Sequence, residues 1–112
     1  MRVYLPTTLA GLARLRDEGT LPASVERYVA DGDDEQSEYA ALMAAAVDAA
    51  ALVAGPGRRV VVVADLPDAD GAVPLRDVVA VHADPEERPA DADPEDDLAW
   101  YATQEIEALL GR

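Results

Sequence analysis

A chain of 112 residues with nine arginines, no lysine and 23 acidic residues carries a formal charge of −14, and such a surface is repelled by phosphate backbones and anionic lipid headgroups. The absence of cysteine excludes disulfides, thiolate catalysis and cysteine-ligated zinc or iron–sulfur centres. Half the residues are hydrophobic, but with no Phe, one Trp and four Tyr the core must be thin and built from Ala, Val and Leu.

One domain spanning 1–112 is expected at this length, with one modest core. Met1-Arg-Val-Tyr-Leu-Pro6 has no apolar leader, and the longest apolar run, Ala40 to Ala54, contains Asp48 and is too short to span a bilayer. The expected location is the cytoplasm, with no membrane and no nucleic acid as partner.

Arg2 to Leu5 reads as a short strand that Pro6 stops. Thr7 or Thr8 then caps a helix to Glu18, with Leu9, Leu12 and Ala13 at helical spacing and Gly19 free to close it in a left-handed conformation. Thr20-Leu21 is a doubtful strand, and Pro22 to Ala30 reads as a short helix. Asp33 or Asp34 opens the longest helix, Asp34 to Val53, with Tyr39, Leu42, Met43, Ala46, Ala50 and Val53 as its apolar stripe. Nine alanines between Ala40 and Ala54 allow a close approach to whatever it packs on.

Arg59-Val-Val-Val-Val-Ala-Asp-Leu-Pro67 is the centre of the pattern. Valine is stiff at χ1 and favours a pleated backbone, and a run apolar in both parities is an interior strand covered above and below. The Pro67–Pro74 stretch is a loop, and Pro74-Leu75-Arg76-Asp77 a single turn. Val78 to Ala83 is a second strand, antiparallel to the first. Residues 84–93 form an acidic, Pro-rich linker, expected to be flexible. Asp93-Pro94-Glu95-Asp96-Asp97 has the chemistry of a helix start, and the last helix is expected to run to Leu110, closed by Gly111. The fold class is α+β, a two-layer domain with a small mixed sheet of 3–4 strands and three to four helices. A three-layer α/β sandwich is the alternative.

No phosphate loop, dinucleotide fingerprint or zinc-protease motif is present, and no cofactor is implied. Asp68-Ala-Asp70-Gly71 lacks the remaining ligands of a calcium loop and reads as a turn; no metal site is expected. His82, the one histidine, is a candidate base on a strand, against the plainer reading of a partly buried structural residue. Asp65 leaves the valine strand, and Thr7 and Thr8 leave the first; were those strands parallel, all three would share one edge where ligands favour binding. The plainer roles are a turn and a helix cap. Arg58 and Arg59 read as a solvated strand entrance or as a clamp for a carboxylate or phosphate.

On the expected last helix, Trp100 lies opposite the stripe of Ala102 and Ile106, beside Gln104 and Glu107. A large ring there either anchors an interface or packs under another segment of the chain. Tyr101 and Glu105 fall on the other shoulder, bordering the core or pointing into a pocket.

Met1-Arg-Val-Tyr-Leu-Pro-Thr-Thr-Leu9, Glu38-Tyr-Ala-Ala-Leu42, Arg58-Arg-Val-Val-Val-Val-Ala-Asp-Leu-Pro67, Val78-Val-Ala-Val-His-Ala-Asp84 and Trp100-Tyr-Ala-Thr-Gln-Glu-Ile106 together resemble, in order, an uncharacterised family of small actinobacterial proteins, a domain of unknown function. The chain looks shorter than that family between Gly19 and Ser24 and between Asp84 and Asp93. The resemblance implies no activity, cofactor or catalytic residue; it draws interest to Trp100, Tyr101, Gln104 and Glu105.

Three functions follow. The first is a non-enzymatic module that self-associates or binds a protein through Trp100, Gln104 and Glu107. The second is a small-molecule binding domain or minor enzyme using Asp65, His82, Tyr101 and Glu105 with Thr7 and Thr8, which needs a pocket joining them. The third is an acidic decoy for a basic site on another protein.

Overall fold

The structure is a computed structural model that describes residues 1–53 and 55–111. Ala54, counted above in the alanine-rich run, lies outside the described residues. In chain order the elements are β1 (Arg2–Thr7), α1 (Leu9–Glu18), β2 (Thr20–Leu21), β3 (Tyr28–Val29), α2 (Glu35–Val53), β4 (Val60–Asp65), β5 (Val73–Pro74), a 3-10 turn (Leu75–Asp77), β6 (Val78–Ala83), β7 (Ala99–Tyr101), a second 3-10 turn (Thr103–Glu105) and α3 (Ile106–Leu109). The main sheet runs β3-β1-β4-β6-β7 and every pairing in it is antiparallel; β2 and β5 form a separate pair. The fold is α+β as expected, with five strands in place of 3–4 and no parallel pair in place of a mixed sheet.

The valine strand β4 is the middle of the sheet, and both its faces are covered. Val60, Val62 and Ala64 pack with Val3, Leu5, Leu12, Leu15, Val81, Ile106 and Leu109, from the strands, α1 and α3. Val61 and Val63 pack with Tyr4, Ala80 and the buried alanines Ala41, Ala45, Ala46 and Ala49 of α2. That alanine stripe corrects the expected one: Tyr39 is 53 % exposed, while Ala41 and Ala45, which the expected stripe does not include, are buried. Small side chains on α2 meet small side chains on the sheet, and the larger Leu42 and Met43 flank the contact.

Helix α1 keeps its expected caps. The Thr8 hydroxyl accepts from Gly11 N at 3.1 Å, and Gly19, at φ 76°, donates its N–H to Leu15 O. Pro6 does not stop β1. Met1 and Leu66 exchange both backbone hydrogen bonds, so the odd residues of β1 bond to β4 and the even ones face the other way. Pro6 is even, and β3 pairs only with Val3 and Tyr4, so no donor is needed where proline lacks one.

Two expected helices are absent. Residues 22–30 form a loop and the short strand β3. Arg27 holds that loop by donating to the carbonyls of Ala23, Val25, Ala69 and Gly71. The long C-terminal helix is instead a turn, strand β7, a 3-10 turn and the four-residue α3. The Arg59 guanidinium takes the carbonyls of Pro94 and Asp96, which a helix would need for its own ladder, and β6 supplies the pairing that draws Ala99–Tyr101 into the sheet. Residues 84–93 are tied down rather than loose: Gly57 and Arg88 exchange backbone hydrogen bonds, and the Arg88 side chain reaches Asp93 O and the Asp96 carboxylate.

Candidate functional site

The hydrogen-bond parity of the sheet can be followed to its outer edge. Asp84 N donates to Arg59 O, so Arg59 and Asp84 face each other across the β4–β6 ladder, and Val61 and His82, two residues in, do the same. The backbone of His82 therefore points to β4, and Val81 and Ala83 bond to Tyr101 and Ala99 of β7. Trp100, opposite His82, turns its own N–H and C=O outward to the open edge. Its side chain alternates with Tyr101. Tyr101 packs into the cluster under α1, so Trp100 lies on the α2 face beside His82, 60 % exposed.

Strand β7 is well supported from behind. Leu98 packs on the alanine cluster, and Tyr39 of α2 donates its hydroxyl to Asp97 at 2.9 Å. That bond raises the Tyr39 pKa above its ordinary value. Exposed carboxylates bracket the strand: Glu95, Asp96 and Asp97 precede it, and Glu105 and Glu107 follow it. Glu105 accepts from Ala102 N at 2.8 Å, which fixes the turn out of β7.

The other expected site residues scatter. Gln104 and Glu107 line a groove of 190 Å³ with Arg16, Leu75, Thr103 and Ile106, not shared with Trp100, and Glu107 pairs with Arg16 at 3.5 Å. Asp65 lies opposite Arg2 and accepts from its Nε and Nη2, at 2.9 and 3.0 Å, which holds its carboxyl below the usual range. Thr7 lies opposite Val60 at the far end of the same antiparallel pair, so Asp65 and the two threonines do not share an edge. Thr8 caps α1, and Thr7 packs under its first turn, where a Cβ on Gly11 would stand 1.9 Å from the Thr7 Oγ1. His82 is half-buried on the α2 face, and desolvation lowers its pKa. Tyr101 is on the opposite face. Among the described residues, Asp65 at the β1–β4 end, His82 on the α2 face and Tyr101 on the opposite face do not converge on one pocket. No group of acidic or histidine side chains among the described residues could hold a metal ion, and Asp68-Ala-Asp70-Gly71 is a turn closed by Asp70 N on the Asp68 carboxylate.

The most fully built polar cluster escaped the sequence. Arg59 and Asp84 pair at 2.7 Å with side chains only 3 % and 4 % exposed, so Arg59 is neither a solvated strand entrance nor a free clamp. Its five N–H donors go to the two Asp84 oxygens, to Pro94 O and Asp96 O, and at 3.5 Å to Asp97 O. No donor remains for a ligand. Burial alone would raise the Asp84 pKa; the hydrogen bonds and charge of Arg59 outweigh it and hold the carboxyl low. One signal was present: two valine-rich strands of equal length, one entered by Arg59 and the other left by Asp84, place those charges opposite each other once the strands pair antiparallel.

No helix among the described residues is long and apolar enough to cross a membrane. No curated protein and no solved structure matches the chain. The profile of one family, described as a family of unknown function (DUF6912), matches residues 1–110, and the chain belongs to that family.

Proposed function

We propose that this protein is a non-enzymatic cytoplasmic interaction module that engages a protein through the outer edge of β7, with Trp100 as its anchor. The carrying observation is a tryptophan 60 % exposed on an edge strand whose backbone at that residue faces outward. Tryptophan buries more apolar surface than any other anchor residue, and an open strand edge is a template for main-chain pairing. Gln104 and Glu107 belong to a separate groove, so the interface narrows to Trp100 and its strand neighbours. A pocket-based activity has no comparable support, because its candidate residues are dispersed and Asp65 is engaged by Arg2.

Native mass spectrometry of protein purified gently from its own host tests the proposal. The expected result is a complex with another chain that is lost in Trp100→Ala, while circular dichroism of that variant is unchanged. A reproducible non-protein mass on each subunit, with no partner, would replace the proposal with a small-molecule function.

A further inference from the structure

We infer that the partner is a basic segment in extended conformation that adds to the main sheet beside β7, with an arginine or lysine side chain over the face of Trp100. The inference rests on the interaction reading above and names the chemistry of the partner.

Strand addition is indicated by parity. In a three-residue strand whose outer residues bond inward to β6, Trp100 alone offers a free N–H and C=O outward. One such pair of main-chain bonds is a weak hold, so the side chains around it must select the partner. On the α2 face that side chain is Trp100, an electron-rich ring suited to a cation. Along the strand axis the neighbours are acidic at both ends: Glu95 and Asp97 before β7 and Glu105 after it, all exposed, while Asp96 is paired with Arg88 and Glu107 with Arg16. Asp97 accepts the Tyr39 hydroxyl and Glu105 the Ala102 N–H, and each carboxylate keeps acceptor capacity beyond one bond. An extended chain advances about 3.3 Å per residue with alternate side chains on one face. A peptide with basic residues at alternate positions therefore presents one cation to Trp100 and others toward the flanking acids.

Charge also decides against the obvious competitor. Two copies pairing β7 on β7 would lay Glu95, Asp96 and Asp97 of each beside Glu105 of the other, in chains that each carry −14.

The full chain is titrated with a synthetic nine-residue peptide of alternating Arg and Val, and with the same peptide carrying Glu for Arg. Trp100 is the only tryptophan, so its emission reports the site directly. The Arg–Val peptide is expected to shift the emission to the blue saturably and to bind about ten-fold or more weakly when salt rises from about 0.05 M to 0.5 M; the Glu–Val peptide is expected to do nothing. N-methylating alternate amides of the Arg–Val peptide, in each of the two registers, is expected to weaken binding at least about ten-fold in one register only. Trp100→Ala, read by calorimetry, should lose about ten-fold or more. Equal binding of the two unmethylated peptides overturns the basic partner, and equal binding of both methylated forms overturns strand addition. Unchanged binding by Trp100→Ala reduces the effect to diffuse attraction and overturns the inference. A wild-type dimer that Trp100→Ala turns to monomer in sedimentation would also overturn it, and would leave the interaction reading standing.

Discussion

Arg59 is a cation placed at the buried start of a valine strand, and what makes it tolerable there is that its donors are all answered. Asp84 supplies the counter-charge, and three carbonyls of the chain before β7 supply the rest. Removing one partner leaves the other charge buried and uncompensated, which typically costs about 3–5 kcal/mol. Asp84→Asn is therefore expected to lower the urea-unfolding free energy by that amount, and to loosen the 84–97 segment to hydrogen exchange. The pH dependence has a definite sign. The Asp84 carboxyl is held below its ordinary value of 3.8 in the folded chain, so its contribution is complete above that value and is lost as pH falls through the lower, folded one. The stability gap between wild type and Asp84→Asn should be constant from neutrality to about pH 5 and close only in stronger acid. A gap that closes near neutrality would assign the effect to another group.

Helix α2 approaches the sheet through alanines, and the fit leaves little room for larger groups. Ala45 is fully buried against the valine strand. Ala45→Leu should cost about 1–3 kcal/mol by overpacking, whereas Leu52→Ala, at a residue 53 % exposed, should be nearly neutral in the same denaturant titration. The phase of this helix was not legible in the sequence, because a run of alanines has almost no amphipathic contrast and the eye follows Tyr39, Leu42 and Met43 instead. The caps of α1 were legible, since Thr8 and Gly19 act through local backbone chemistry. So were β4, β6 and their antiparallel pairing, which four consecutive valines and a short loop nearly dictate. Strand β7 was not. Asp93-Pro94-Glu95 has every local mark of a helix start, but Arg59 takes the carbonyls and β6 offers a ladder, and both lie far away in sequence. That one misreading moved Trp100 from a helix to a sheet edge. The sequence leaves Trp100 between an interface anchor and a ring packed under another segment; the residue is 60 % exposed, and its grouping with Gln104 and Glu107 belongs to a helical periodicity the segment does not adopt.

The molecule spans 37 × 31 × 23 Å and carries −14. At about 0.01 M salt the Debye length is roughly 30 Å, so carboxylates across the whole surface repel one another; at about 0.15 M it is roughly 8 Å. The melting temperature should accordingly rise by a few degrees across that range in calorimetry. A fall would mean that exposed pairs such as Arg2–Asp65 and Arg16–Asp17 outweigh the general repulsion. The pairing of β1 has a different consequence, in time rather than in energy. Arg2 and Asp65, partners across the β1–β4 ladder, are separated by 63 positions in the chain. During synthesis β1 emerges with both faces apolar and must wait for all of α1 and α2 before β4 appears. Such remote pairing raises the contact order, and with it the time to reach the native state. A nascent chain stalled before Val60 would hold the helices and a β1 paired only with the two-residue β3, its long β4 edge still open, a natural client for chaperones until the valines arrive.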